Sequence, residues 1–378
     1  MFGGCAGGGR VTLLPPVTTT ASAETASHKI RSLGEIDPWR PLADDADTQT
    51  LSMFGREDLI APTSSDYAAM KCAPLPDVGD PMTVIAERAR ATRIVIVNES
   101  HERSEHRGFT ARVAKALSPL GYDVLAMEAL SNPPDNVTGR FLPPFRQRPE
   151  QPFLEDDDGY YLSEAGFGRL GRQAKALGYR LLPYEARHDP GEANAPWEQR
   201  IAKREEEQAQ TLAAYLRENP QARVLVHVGY SHAGEVPHTN GQRWMAARLK
   251  AMTGIDPLTV SQTTCRGGGA TTRLAVLPAK EPAGMFDLVV DHPTARFVRR
   301  RPAWRLAAGD RAVAIPRALR PMKGWRIVEA RVEGEPRGAV PMDRVAIRPG
   351  EDVALLLPPG RYRLGVIDVA PAAKSPAQ

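Results

Sequence analysis

The sequence lacks several features that would assign a function directly. No run of about 18 apolar residues occurs, so no membrane-spanning helix is predicted. Neither G-x-G-x-x-G nor a P-loop lysine motif opens a helix, so no nucleotide phosphate site of those types is predicted. The 49 basic and 45 acidic residues are interspersed, and their net charge of +4 does not predict non-specific nucleic-acid binding. No repeat with a solenoid period is present.

Cysteine is also scarce, with three residues in the chain. Cys5, in MFGGCAGGGR, lies among small residues as does the lipidated cysteine of a bacterial lipoprotein, although no charged and apolar segment precedes it. A lipid on Cys5 would place the protein in the cell envelope or periplasm and would be its one membrane attachment. The alternative is a disordered, Gly-rich start. In the envelope Cys72 and Cys265 could pair, which sequence alone does not decide.

Changes of composition divide the chain into three parts. Residues 1–60 are rich in small and polar residues and weakly periodic, which predicts a flexible tether. Residues 61–275 alternate strand-like and helix-like segments, which predicts an α/β domain with a mostly parallel sheet flanked by helices. The Pro-rich stretch 131–160 is a long insertion in this domain, either a lid or a connector. Residues 276–378 contain short apolar segments separated by Pro or Gly and predict a smaller β-rich domain.

Acidic and imidazole side chains follow several of the predicted strands. The strand RIVIV leads into Glu99 and His101, and two further strands end at Glu128 and Glu185. A fourth strand ends in GYSH, at His232. Because ligands bind beyond the carboxyl ends of strands in an open α/β sheet, we expect these side chains to converge there. Ionised groups are costly in an apolar interior unless paired, whereas a histidine at the sheet edge titrates near neutrality and can activate water.

Each of these residues also has an interpretation that involves no catalytic function. A glutamate at a strand end is often simply solvated. His227 lies inside a strand and is predicted to be buried and hydrogen-bonded, and His106 on the following helix is predicted to be solvated. Trp197, on a long charged helix, is predicted to be core. The basic run at 299–301 is predicted to be solvated.

Two short motifs resemble a known superfamily. NESH at 98–101 and GYSH at 229–232 resemble the paired G-x-x-H motifs of the Tiki/TraB superfamily, to which ChaN-like haem-binding lipoproteins and erythromycin esterase-like proteins are related. Arg204 and Glu205 resemble an arginine–acid pair on a helix of the esterase-like members, and Glu128 matches the acidic end of their second strand. The resemblance covers residues 80–265. Asn98 replaces the usual glycine, and we expect asparagine's tolerance of unusual backbone angles to preserve a turn there.

The resemblance implies a site that supports a hydrolase hypothesis. His101, oriented by Glu99 or Glu128, would activate water for attack on an ester or amide carbonyl of a small-molecule or peptide substrate. Arg204 and His232 would stabilise the developing oxyanion or position a substrate carboxylate.

In the hydrolase hypothesis Glu185 is the candidate proton donor. The sequence is also compatible with several alternatives. In a metal-dependent variant, Zn, Mn or Co is bound by Glu99, His101 and His232 and carries the water. A second hypothesis is an envelope lipoprotein of the ChaN-like type that binds haem or another metal-containing ligand, with Tyr230 or a histidine as axial ligand of the haem. A third is a non-catalytic interaction protein in which the β-rich domain carries the function.

Overall fold

The structure, a computed structural model, describes residues 10–19, 28–39, 45–133, 135–137, 140–187, 194–237 and 241–370. Cys5 and its predicted lipid therefore lie outside the described residues. Two compact units are present. The larger comprises Ala61–Leu162 and Phe167–Thr294, and the smaller comprises Met1–Ile60, Ser163–Gly166 and Ala295–Gln378. None of the helices in the described ranges is long and apolar enough to cross a membrane.

The helices and strands of the described residues have the following bounds. In chain order they are β1 (Val11–Thr19), α1 (His28–Glu35), α2 (Asp45–Met53), α3 (Glu57–Ile60), α4 (Pro81–Ala89), β2 (Ile94–Glu99), α5 (Ser104–Leu117), β3 (Val124–Met127), β4 (Asp135–Val137), β5 (Arg140–Leu142), α6 (Ala165–Ala176), β6 (Arg180–Pro183), α7 (Trp197–Glu218), β7 (Val224–Gly229), α8 (Met245–Thr253), β8 (Leu258–Arg266), β9 (Arg273–Ala275), β10 (Leu288–His292), β11 (Phe297–Val298), β12 (Arg301–Pro302), α9 (Ala303–Ala307), β13 (Arg311–Ala314), β14 (Arg326–Val332), β15 (Asp343–Ile347), β16 (Ala354–Leu357) and β17 (Gly360–Asp368).

The larger unit is built on one mostly parallel sheet. Within the described residues its seven strands have the order β6-β3-β7-β2-β8-β10-β9. Every neighbouring pair is parallel except β9 with β10. Consecutive residues of a strand point to opposite faces, and every residue of β2 and of β7 is buried. Both faces are therefore covered, which explains the unbroken apolar runs, and the α/β fold class is confirmed.

Helices α7 and α8 form the core on one face of this sheet. Their buried side chains pack with alternate residues of the central strands, such as Ile94, Ile96 and Val226. The apolar residues of α7 fall at helical spacing on its buried side, including Ala209, Leu212, Leu216. This packing fixes α7 along the sheet and so places its first turns near the carboxyl ends of the strands.

The smaller unit contains a separate four-stranded sheet in the order β1-β17-β14-β15, with the pairs β11-β12 and β13-β16 beside it in the described ranges. Strand β1 pairs parallel with β17, and the other pairs are antiparallel. Its core includes Val328, Val345, Leu355, Leu364.

Two boundaries differ from the sequence prediction. Residues 1–60 were expected to be a tether, yet β1 is paired with β17, and Val11 and Leu13 pack against the core of the smaller unit. The partner strand is too distant along the chain for local periodicity to reveal the pairing. Strand β10 joins β8 in the larger sheet, so that unit extends to Thr294 rather than to 275. A short apolar strand has the same pattern in either sheet, and only its pairing assigns it.

The basic run at 299–301 is not uniformly solvated. Arg301 is buried, and its Nη2 donates to Asp343 over 2.7 Å. Arg299 pairs at the surface with Asp352 over 2.7 Å. Arg299 and Arg300 form the two-residue turn between β11 and β12, with φ of 48° and 63°.

Candidate active site

The carboxyl ends of the parallel strands bring the predicted site residues together. Glu99 ends β2, Glu128 follows β3 directly, and Glu185 lies two residues beyond β6. His232 lies in a 3₁₀ turn, Tyr230–Ala233, that follows β7. The contacts below join all six predicted catalytic residues of the larger unit into one cluster: Glu99, His101, Glu128, Glu185, Arg204, His232.

The first part of the cluster is a glutamate–histidine pair. Glu99 Oε1 lies 2.9 Å from His101 Nδ1. Glu99 Oε2 accepts from Arg107 Nη1 over 2.6 Å and lies 3.0 Å from His227 Nε2. An ionised carboxylate only accepts hydrogen bonds, so His101 Nδ1 carries the proton. Nε2 of His101 is then the basic nitrogen of the ring.

Glu99 is ionised although it is buried. Burial by itself raises the pKa of a carboxyl group, but the charges of Arg107 and His227 and the histidine hydrogen bonds hold the pKa of Glu99 well below its ordinary value. The Arg107 guanidinium also lies 4.7 Å from the centre of the Phe167 ring, which fixes it in place. Glu99 is therefore suited to orient His101 and to stabilise its protonated form.

The second part is organised by Arg204 on α7. Its Nε donates to Glu185 Oε1 over 2.9 Å, and its Nη2 donates to both Glu185 and Glu128. Gln208, one turn further along α7, donates to Glu185 Oε1 over 3.1 Å. One guanidinium thus joins two strand-end carboxylates.

Glu128 is held as a carboxylate by its neighbours. Burial raises its pKa, but the charges of Arg204, His232 and His101 and a 2.6 Å hydrogen bond from the Gly229 amide outweigh burial and lower the pKa to about 2. A buried anion with these partners adds negative potential beside both histidines.

His232 forms a second glutamate–histidine pair. Its Nδ1 is hydrogen-bonded to Glu205, which is fully buried and accepts from the Met245 amide over 2.5 Å. His232 Nε2 lies 3.2 Å from Arg204 Nη1 and 3.7 Å from Glu128 Oε1. Burial lowers the pKa of His232, but the bond to Glu205 and the charge of Glu128 outweigh it, so the pKa is raised. His232 therefore holds a proton more readily than an ordinary histidine.

Gly229 brings the two parts of the cluster into contact. A Cβ built at this position would lie 2.7 Å from His101 Cε1, 2.8 Å from His101 Nε2 and 3.1 Å from Glu128 Oε2. The φ of −75° and ψ of 146° at Gly229 are open to any residue. Glycine is needed here for space rather than for its backbone freedom.

Aromatic rings enclose His101. Its ring stacks on Tyr161 with centroids 4.6 Å apart and meets Tyr230 edge-on at 5.0 Å. Tyr161 follows the stretch 131–160, which contains the β4-β5 hairpin, so the predicted insertion leads directly into one wall of the site. Burial raises the pKa of Tyr161, and its hydroxyl stays protonated.

Tyr230, the predicted cofactor ligand, does not fit an axial haem role. Its hydroxyl donates to Asp66 Oδ2 over 2.9 Å and lies 3.4 Å from Ser100 Oγ. Burial and the Asp66 charge raise the pKa of Tyr230, so the phenolate is disfavoured. Its surroundings are polar, whereas haem requires a roomy apolar pocket.

The predicted metal ligands also have other partners. Among the described residues, no group of three or more His, Cys, Asp and Glu side chains could hold a metal ion. The Arg107 guanidinium is bound to Glu99, and the Arg204 guanidinium lies 3.2 Å from His232 Nε2. A divalent cation would face these positive charges at short range. Glu99, His101 and His232 therefore do not fit a metal centre in this arrangement.

Some functional partners of the site were not predicted from the sequence. Arg107 lies on α5, eight positions beyond Glu99, and reaches that carboxylate only through the packing of the helix on the sheet. No sequence pattern indicated that Asp66 would reach the site, because it belongs to a segment without helical or strand periodicity. His106, expected to be solvated, is 1% exposed and accepts from the Ser100 amide over 2.9 Å, because it lies on the buried side of α5. His227 is buried and hydrogen-bonded, as predicted.

Two further residues differ from expectation. Asn98 lies in β2 rather than in a turn, and it is fully buried. Its Nδ2 donates to the Tyr230 carbonyl over 2.7 Å and its Oδ1 accepts from the Gln262 amide over 2.6 Å, so its side chain rather than its backbone is used. Trp197 was expected in the core but is 56% exposed, because the first turn of α7 lies at the surface.

Comparisons with known proteins yield distant structural similarity alone. No protein family and no curated protein matches the sequence. The type III effector HopBA1 is 15% identical, with a TM-score of 0.37 over 60% of this chain and 98% of that one. RRSP, a MARTX toxin effector domain from Vibrio vulnificus, is 13% identical, with a TM-score of 0.34 over 70% of this chain and 56% of that one. A structure described as bacterial protein toxins is 13% identical, with a TM-score of 0.31 over 49% of this chain and 40% of that one.

Proposed function

We propose that this protein is a hydrolase that cleaves an ester or amide bond with a water activated by His101. The proposal extends the resemblance to the Tiki/TraB superfamily and the erythromycin esterase-like proteins. The observation that carries it is the presence of two glutamate–histidine pairs, Glu99 with His101 and Glu205 with His232, at one edge of the sheet beside Arg204.

His101 is the general base. Because Glu99 holds the proton on Nδ1, the lone pair of Nε2 accepts a proton from water as the water oxygen attacks the carbonyl carbon. Glu99 then stabilises the imidazolium, and Arg107 keeps Glu99 ionised. The stacked ring of Tyr161 limits rotation of the imidazole.

Arg204 and His232 act on the negative charge that develops on the substrate. The carbonyl oxygen becomes an oxyanion in the tetrahedral intermediate, and a guanidinium beside a histidine of raised pKa stabilises it. When the intermediate collapses, the His101 imidazolium gives the leaving group the proton that it took from water. Glu185, the donor suggested by the sequence, accepts hydrogen bonds from Arg204 and Gln208, and we assign it the role of anchoring Arg204.

The proposed reaction is metal-free, and its substrate is a small molecule or a peptide. Turnover of an ester and peptide panel is expected to survive treatment with a chelator. His101→Gln is expected to lower kcat by a factor on the order of 10² to 10⁴, because it removes the general base.

Matched variants on α7 complete this test. Arg204→Lys should lower kcat, because a lysine ammonium cannot reproduce the planar guanidinium that donates to both Glu185 and Glu128. Lys203→Ala changes the adjacent side chain, which is 40% exposed, and should retain activity. Full activity in His101→Gln, or loss of activity on chelation that added metal restores, would contradict the proposed mechanism.

A further inference from the structure

A segment outside the sheet passes close to the site. Residues 64–75, called the strap here, run beside strands β8 and β9. Met70 and Arg266 exchange two backbone hydrogen bonds of 2.9 Å, and the Leu75 amide donates to the Leu274 carbonyl over 3.0 Å. A disulfide joins Cys72 of the strap to Cys265 of β8. The strap is therefore attached to the sheet at several points without the help of the site.

Asp66 is the strap residue that reaches the site. Its Oδ2 accepts a hydrogen bond from the Ser100 hydroxyl and one of 2.9 Å from the Tyr230 hydroxyl. Ser100 lies between Glu99 and His101, and Tyr230 directly follows Gly229. One carboxylate oxygen thus ties together the ends of β2 and β7, the two strands that carry the histidine motifs.

Tyr230 is held in an uncommon conformation. Its φ of +38° is in the left-handed region, which is disfavoured for residues other than glycine. Such backbones persist where their surroundings over-determine them, and they occur often at functional sites. Here the Asn98 amide group donates to the Tyr230 carbonyl over 2.7 Å, and Asp66 holds the hydroxyl. The result is a perpendicular contact between the Tyr230 and His101 rings, whose centroids are 5.0 Å apart.

We propose that Asp66 is a positioning residue for the general base: it holds Tyr230 against His101 and so fixes the imidazole for water activation. The kinetic part of this inference rests on the proposed hydrolase function. The positioning part concerns the placement of a ring and can be measured without a substrate. Asp66 itself does not touch the reacting atoms.

The kinetic test uses variants of the full chain. Asp66→Ala is expected to lower kcat roughly tenfold with little change in KM, because a misplaced base slows the chemical step rather than binding. Asp66→Asn keeps an oxygen acceptor and should recover most of the loss. Tyr230→Phe removes the same hydrogen bond, so adding Asp66→Ala to it should cost less than a further twofold.

A matched control separates positioning from strap attachment. The hydroxyl of Tyr67, also on the strap, donates to the Glu102 carbonyl over 2.7 Å. Tyr67→Phe removes a strap hydrogen bond without touching Asp66 or Tyr230 and should retain kcat. An equal loss of kcat in Tyr67→Phe and Asp66→Ala would overturn the proposal in favour of a structural role for the strap.

The second readout is the NMR resonance of His101 Cε1–Hε1, assigned by its loss in His101→Gln. Asp66→Ala and Tyr230→Phe should move this resonance in the same direction, and Tyr67→Phe should leave it in place. An unmoved resonance in Asp66→Ala overturns the inference whatever the activity. A moved resonance in a protein that hydrolyses none of the panel supports the positioning by Asp66 and refutes the proposed function.

Discussion

Gly229→Ala provides a direct steric test of the site geometry. The new methyl carbon would lie 2.7 Å from His101 Cε1 and 2.8 Å from His101 Nε2 in the present arrangement. Carbon atoms pack best at about 3.5–4.0 Å, so the imidazole must retreat by about 1 Å. Because the backbone angles at Gly229 suit any residue, the substitution introduces no conformational strain of its own.

The expected loss of activity follows from that displacement. Moving a catalytic group by about 1 Å costs a factor on the order of 10² in rate, so kcat should fall by about that factor. Overpacking of this kind destabilises a protein by about 1–3 kcal/mol, which still leaves the chain folded. The loss should appear in kcat more than in KM, because the general base acts in the transition state.

The assay compares kcat on the best substrate of the ester and peptide panel with the free energy of unfolding in urea. Gly79→Ala is the matched control, since a Cβ at Gly79 meets no atom within 4 Å and should change neither quantity. If Gly229→Ala keeps kcat within about threefold of the parent while folding normally, His101 Nε2 is not the base, and the mechanism derived from this geometry is refuted.

Three further predictions concern stability. The pKa of Glu128 is lowered from 4.5 to about 2, so its ionised form stabilises the fold by an amount on the order of 3 kcal/mol. This stabilisation is complete above pH 4.5 and is lost as the pH falls toward 2. The free energies of unfolding in urea of Glu128→Gln and the parent should therefore differ most at neutral pH, and a difference that stays constant down to about pH 3 would contradict this. The Cys72–Cys265 disulfide spans 193 residues, and its replacement by two serines should lower the free energy of unfolding by about 2–5 kcal/mol. A decrease of less than about 1 kcal/mol would contradict this prediction. Arg299 and Arg300 are both in the left-handed region, at a cost of roughly 1–2 kcal/mol each, so replacing them by Asn and Gly should raise the melting temperature. An unchanged or lower melting temperature would show that loss of the Arg299–Asp352 ion pair outweighs this gain.

The α/β class of the larger unit could be predicted from the sequence because its strands are buried on both faces. Segments such as Ile94–Val97 are apolar without a break and are separated by helices, and that pattern predicts parallel strands. Strands β1 and β10 could not be assigned in the same way. Each is a short segment whose partner is distant along the chain, and pairing with β17 or β8 leaves no local mark.

The residues at the strand ends were predictable for a related reason. Parallel strands carry their carboxyl ends to one edge, so Glu99, Glu128 and His232 were expected at the same edge once the strands were recognised. The strand order β3-β7-β2 then made them neighbours. The roles of these groups were not predictable, because a role depends on the partner within about 3 Å. Whether a carboxylate binds a metal or an arginine is decided by Arg107 and Arg204, which come from helices and reach the site only through packing.

The sequence by itself determined the α/β class of the larger unit and which acidic and imidazole groups stand at its edge, since periodicity and strand direction are local properties. Tertiary structure alone decided that Asp66 reaches Tyr230, that Glu205 pairs with His232 and that a glycine lets His101 approach Glu128. Hydrogen bonds and close contacts between distant segments depend on distances of a few tenths of an ångström, and those distances are set only when the whole core has packed.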